Sequence, residues 1–282
     1  MKNIKQIGAL FIGVLIITFA ARSQSAEGEK EQQKTSFKLG VNYNTNLNYY
    51  GRTDSLRSSG FFPLAELWFN ESFYLNAAPV FVSNKISSFD YAGTVAAAGY
   101  QFNSENKWLG NIYFLKPFYK DNSQLVQSAL KAQAGMTLTW LNKAINLTGG
   151  GDMKFSDKID YGATGGLDHI FRFQFDDQSV LVIDPSAYVY AGTQQFTNTY
   201  YKQSNFIFFP GFEEQVTEKV KSFNILAYEF SSPLILAKGK FQLLFTPSWI
   251  IPQNLIEVEA RPDLTERGKE MFYATIGAKV TF

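Results

Sequence analysis

The 282-residue chain carries one histidine, His169, and no cysteine. Nucleophilic or metal chemistry would therefore run through one imidazole or through carboxylates. A hydrolytic site needs a serine or aspartate within hydrogen-bond reach of the imidazole. Asp168 is adjacent in sequence, but on a strand neighbouring side chains point to opposite faces. Two residues on, where a same-face partner would stand, the chain has Phe171. His169 thus shares its face with Leu167, Phe171 and Phe173. No group of His, Cys or carboxylates has metal-ligand spacing; Asp157 and Asp160, on one loop, make at most a weak Ca²⁺ seat. Gly149-Gly150-Gly151 lacks the Lys-Ser/Thr and helix start of a phosphate loop, and reads as relief of crowding or as curvature in a strand. The remaining candidates are seven charged side chains that fall on the polar faces of alternating segments: Glu66, Asp168, Arg172, Asp184, Glu229, Lys240 and Lys279. The chain is expected to be no enzyme, and to take no cofactor and no metal.

The elements that place these charges are strands, and 270–282 shows it best. Phe272, Ala274, Ile276, Ala278, Val280 and Phe282 alternate with Met271, Tyr273, Thr275, Gly277, Lys279 and Thr281. A period of two over that length gives a strand with one apolar and one wet face. It suits a tilted membrane-spanning strand better than a soluble one. With its terminal aromatic residue it resembles the closing strand of a bacterial outer-membrane β-barrel, in which the assembly machinery reads a residue placed like Phe282. Residues 37–49 alternate in the same way, with Asn42, Asn44, Asn46 and Asn48 on one face. Those amides need water or many partners.

Ten further strands are predicted near 60–69, 72–83, 89–103, 107–119, 132–141, 145–155, 159–175, 179–192, 222–231 and 239–250. The total is about twelve, an even number as a closed bacterial barrel requires. Tight turns follow the even strands, as at Asn70-Glu71, Asn142-Lys143, Asp176-Asp177 and Lys238-Gly239. Longer connections follow most odd ones, at 50–59, 120–131, 193–221 and 252–268. A three-residue turn at Asp176-Asp177-Gln178 pairs Phe175 with Ser179 and sets Ile170 opposite Asp184. The same count sets Glu66 across from Asn76. Pro63, Pro79, Pro117, Pro185 and Pro247 fall within these strands and are expected at bulges or near the rims.

Aromatic residues make up 16% of the chain and charged residues 18%, yet mean hydropathy is −0.13. A wall half facing lipid and half wet gives that cancellation. A net charge of +1 offers nothing for nucleic acid. Residues 1–23 have the layout of a secretory signal peptide, with an apolar run from Ile7 to Ala21 behind Lys2 and Lys5. Residues 24–35 read as a disordered periplasmic spacer and 36–282 as the barrel, with both termini periplasmic.

Two stretches resemble a group of uncharacterised outer-membrane barrels from Bacteroidota. One is Tyr49-Tyr50-Gly51-Arg52-Thr53-Asp54-Ser55 with Phe62-Pro63-Leu64. The other runs from Leu226-Ala227-Tyr228-Glu229-Phe230 through Phe245-Thr246-Pro247-Ser248-Trp249 to Pro252-Gln253-Asn254. The resemblance implies the fold, contact with membrane lipid and lipopolysaccharide, and strand prolines that belong to the wall; it brings no substrate. The expected function is passive passage of small polar solutes, with the seven charges lining the lumen. The long 193–221 connection, bearing Phe206, Phe208, Phe209 and Phe212, would be a constriction loop. A non-transporting structural or surface-interaction barrel is the alternative reading, and a barrel enzyme the third.

Overall fold

The computed structural model describes residues 35–54, 56–104, 107–120, 130–195, 222–256 and 265–282. The proposed signal peptide, most of the spacer and the Phe206–Phe212 cluster lie outside them. The described chain is a ladder of β1 (Ser36–Asn44), β2 (Ser59–Trp68), β3 (Phe73–Ser83), β4 (Asp90–Ser104), β5 (Trp108–Tyr119), β6 (Ala132–Trp140), β7 (Asn146–Phe155), β8 (Ile159–Asp168), β9 (Phe171–Gln174), β10 (Ser179–Ile183), β11 (Ser186–Gly192), β12 (Asn224–Ser231), β13 (Leu234–Lys238), β14 (Phe241–Pro252) and β15 (Met271–Thr281). Every pairing is antiparallel, and β1 pairs with β15, which closes the sheet. β8 and β9, β10 and β11, and β12 and β13 are each one wall strand split in two. The fifteen segments therefore make a closed wall of twelve strands.

The alternation dictates the two faces. Phe37, Leu39, Val41 and Tyr43 are exposed on the outside of β1, while Asn42 and Asn44 are buried inside. β15 repeats the pattern with Phe272 and Ile276 out and Tyr273 and Thr275 in. The register is the one the turn lengths predict. Phe175 N donates to Ser179 O at 3.0 Å, and Glu66 stands opposite Asn76. Asp168 pairs with Ser186 and Phe171 with Ile183, so Ile170 faces Asp184.

Two strand boundaries differ from the sequence reading. The wall strand expected at 222–231 continues through β13 to Lys238. β1 stops at Asn44 instead of Tyr49, where Asn44 Oδ1 accepts the amide of Asn46 at 2.9 Å and turns the chain inward.

The prolines explain the split strands, and Pro185 and Pro247, with Pro233, which was not among the strand prolines read from sequence, lie away from bulges. The register shifts fall at Val80/Phe81 and Tyr190/Ala191, which places Pro79 beside one of them. Pro185, Pro233 and Pro247 sit in adjoining strands, well inside the wall. Each still accepts a ladder bond: His169 N donates to Pro185 O at 3.2 Å, Asp184 N to Pro233 O at 2.9 Å and Ser232 N to Pro247 O at 3.1 Å. None can return an N–H. A strand proline is tolerated here because only one bond of a two-bond pair is lost.

Candidate functional site

The wall has two ends. One carries Ser36, Thr281 and the short hairpin turns; the other carries the longer loops. At the turn end the interior is polar. Glu66 accepts from Lys279 Nζ at 2.7 Å and from Trp68 Nε1 at 3.0 Å, and Lys38 Nζ lies 3.8 Å away. The Lys38 ammonium also sits 4.4 Å from the centre of the Trp68 ring. The carboxylate thus holds β1, β2 and β15 together at the closing seam. Farther round, Asn146 Nδ2 donates to Asp168 at 2.7 Å; toward the loop end Tyr273 donates to Glu229 at 2.7 Å, and Asp152 bridges Lys154 and Gln133.

Of the seven charges singled out from sequence, Glu66, Asp168, Asp184, Glu229 and Lys279 share this inner side. Arg172 has the same parity, but β9 has no strand on the β7 side. Its guanidinium is exposed and meets Gln174 at 3.5 Å. Lys240 must be corrected: β13 ends at Lys238, Gly239 takes a positive φ of 56°, and Lys240 lies exposed in the hairpin turn. His169 packs edge-on against Phe171 at 4.4 Å, on the face opposite Asp168. Asp157 pairs with Lys131 at 2.8 Å, whereas Asp160 turns inward to Thr193 and the amide of Gln195. The suspected Ca²⁺ pair is therefore parted, and no group of three potential metal ligands occurs among the described residues.

At the loop end the interior is occupied by the chain itself. Instead of continuing the wall or standing outside it, residues 45–54 and 56–58 fold into the lumen. Leu47 N bonds Ser58 O at 2.7 Å at the base of the excursion. At its tip Tyr49 and Arg52 exchange both backbone bonds, at 2.8 and 2.9 Å. The two residues between them, Tyr50 and Gly51, have φ of 50° and 76°. Positive φ at both central positions is the geometry of a two-residue hairpin, and glycine takes the second of them without strain.

The excursion reaches the far wall. Tyr50 packs against Tyr190 of β11, ring centres 4.9 Å apart and planes tilted by 35°, and Lys154 Nζ of β7 lies 5.9 Å from its ring centre. β7 is six places from β1 in the sheet order, half way round the twelve-stranded wall. Tyr49 and Tyr50 join Tyr190, Leu226, Ala227, Ile250, Met271 and Tyr273 in one buried cluster. On the other side Leu47, with Leu56 beside it, packs among Phe62, Val80, Val82, Val95, Ala97 and Leu115. Burying a side chain such as Leu47 contributes about 1.5–3 kcal/mol. Burial also pushes the Tyr50 phenol well above its ordinary range, with Asp152 adding to the effect.

Arg52 anchors the tip. It is 1% exposed. Its Nε donates to Glu266 at 3.0 Å, its Nη1 to the carbonyls of Tyr50 and Leu226 at 3.1 Å each, and its Nη2 to those of Gln253 at 3.1 Å and Asn254 at 3.5 Å. Glu266 in turn accepts the amide of Ile256 at 3.1 Å, and Thr53 N donates to Arg267 O at 2.7 Å. Neither Arg52 nor Glu266 stood among the sequence candidates. The signal was present: Arg52 lies in one of the two stretches that carry the resemblance, and Gln253-Asn254 in the other.

No family model matches the chain, and no curated protein is similar to it in sequence. Solved structures do align over most of its length. A KdgM porin is 9% identical, covers 88% of this chain and 99% of its own, and superposes with a TM-score of 0.46. LpxR from Salmonella typhimurium is 7% identical over 86% of this chain and 99% of its own, at 0.46. A COG4313 outer membrane channel from Pseudomonas putida F1 is 12% identical over 92% of this chain and 100% of its own, at 0.45. At such identities and scores the likeness carries no argument of its own, and the closed barrel rests on this chain's strand pairing.

Proposed function

We propose that the chain is an outer-membrane barrel for passive passage of small polar solutes, held closed in this conformation by its own first loop. The observation that carries the reading is the inserted segment. It crosses from β1 to the β7 and β11 wall above a polar interior, and a buried arginine locks it there. The termini lie at the turn end, which fits a periplasmic placement. The apolar exterior fits contact with membrane lipid and lipopolysaccharide. The constriction in this reading is the 45–58 segment; the Phe206–Phe212 cluster, outside the described residues, serves as the contrast. His169 faces outward against Phe171 with no acid beside it on that face, which favours a non-catalytic barrel.

One observation favours the second reading, a barrel that never opens and works through its surface. The Leu47 side of the plug is packed in a buried apolar core, and such a core resists displacement. Planar-bilayer conductance separates the two. In the gated reading Arg52→Ala, still showing the boiling-dependent gel shift of a folded barrel, conducts more than the wild type. Removing residues 206–212 changes conductance less. A folded Arg52→Ala barrel as silent as the wild type would leave the non-transporting reading standing.

A further inference from the structure

The seat of Arg52 is a built site in its own right. A guanidinium has five N–H donors in a rigid plane and no acceptor. Here the Glu266 carboxylate and the carbonyls of Tyr50, Leu226, Gln253 and Asn254 meet those donors one for one. Three of those carbonyls and the carboxylate belong to the barrel end and its last loop, not to the inserted segment. The oxygens are aimed at a cost. Tyr50 and Asn254, whose carbonyls are two of the acceptors, are among the few non-glycine residues with positive φ in the described chain, at 50° each. Strain of that kind persists where the surroundings over-determine it, and it collects at ligand clamps. Glu266 adds a second sign: it is 4% exposed, and its Oε1 is buried without a hydrogen-bond partner. The cage therefore has acceptor capacity beyond what Arg52 uses.

We infer that this cage is a guanidinium-binding site, filled by Arg52 as a tethered occupant in the closed state. It is available to an external guanidinium group once the 45–58 segment swings out. The inference rests on the reading of that segment as displaceable. An ammonium is a poorer occupant, since the Glu266 carboxylate and the carbonyls of Leu226, Gln253 and Asn254 that stay behind suit the forked donors of a guanidinium better than three donors on a point charge. A ligand that fits only the vacated cage shifts the population toward the open barrel, because it binds one state and not the other. The chemistry admits two sources of the group: a small guanidinium compound, or the side chain of an arginine in a peptide.

The test uses the full barrel with Arg52→Ala, which empties the cage, and reads the unfolding temperature in detergent. Methylguanidinium is expected to give a saturable rise. Methylurea, of like shape but uncharged, and methylammonium, charged but of the wrong shape, are expected to give none. The rise should vanish in Arg52→Ala/Glu266→Gln and be much smaller in the wild type, whose cage is occupied. Acetyl-arginine amide in a parallel arm assigns the source: a rise with it admits a peptide arginine, and a rise with methylguanidinium alone restricts the site to small compounds. If Arg52→Ala refolds only when methylguanidinium is present, that rescue carries the same conclusion. Refolding with neither compound, a rise equal in wild type and variant, or no rise in a folded variant overturns the inference. Because this readout is binding and not conductance, its failure is distinguishable from failure of the gated reading, which a silent folded Arg52→Ala barrel would show.

Discussion

The two ends of the lumen are filled by different means. At the turn end the wall fills itself: Lys38, Glu66, Trp68 and Lys279 reach inward from β1, β2 and β15 and satisfy one another. At the loop end a stretch of main chain is brought in, and its arginine is met chiefly by carbonyls. A side-chain network is fixed to the strands that carry it and leaves only when they separate. An inserted segment is joined to the wall at its two roots, and everything between them is held by non-covalent contacts. The first arrangement belongs to the barrel; the second, in the gated reading proposed above, is one that a barrel can release.

The largest expected effect comes from breaking the loop-end pair. Arg52→Ala or Glu266→Ala strands a charge that is 1% exposed, and such a loss costs about 3–5 kcal/mol. Denaturant unfolding followed by tryptophan fluorescence measures it. If the ends differ as described, the inserted segment loosens before the wall, so a low-denaturant transition should precede the main one; a single transition shifted as a whole would erase the distinction. Next comes Gly51→Ala. The added Cβ would stand 2.8 Å from Pro252 Cδ with φ at 76°, which costs about 1–2 kcal/mol in backbone conformation before the clash is counted. Conductance should rise here too, with the boiling-resistant fraction unchanged.

The turn end should respond in the opposite way. Glu66→Gln leaves Lys38 and Lys279 facing each other without their shared carboxylate and is expected to cost about 1–3 kcal/mol. Lys279→Met should cost less, because Lys38 remains 3.8 Å from the carboxylate. Both should shift the main transition and leave conductance alone.

The smallest effect is one of pH. Burial pushes the Asp54 carboxyl above its ordinary value, although the amides of Leu56 and Ser58 hold it down in part. The folded chain then binds that proton more readily than the unfolded one. The stability of the inserted segment should fall as pH rises from the ordinary aspartate value, about 3.9, through the folded one. Asp54→Asn should flatten that slope.

Most of the wall was legible because lipid outside and water inside impose a period of two, and most of the twelve segments show it, although those near 89–103 and 107–119 alternate poorly in sequence. The same signal failed where β1 ends. Leu47 and Tyr49 continue the alternation of Phe37 to Tyr43, so they read as more lipid-facing strand, yet both are buried within the lumen. Apolar alternation records a dry neighbour without saying whether that neighbour is a lipid tail or the opposite wall. Lys240 misled in a similar way, since parity has no meaning once the chain enters a turn. Arg52 and Glu266 are 214 residues apart, and a pairing at that separation leaves no periodic trace. The strand prolines were visible, but their alignment across neighbouring strands depends on register and emerged only from the pairing.

That alignment has a mechanical consequence. Pro185, Pro233 and Pro247 stand in adjoining strands, and the carbonyls of His169, Asp184 and Ser232 opposite them receive no ladder donor in return. The missing rungs form a crease across the wall. A wall flexes most readily where rungs are missing, so this barrel should yield across these adjoining strands without parting any strand from its neighbour.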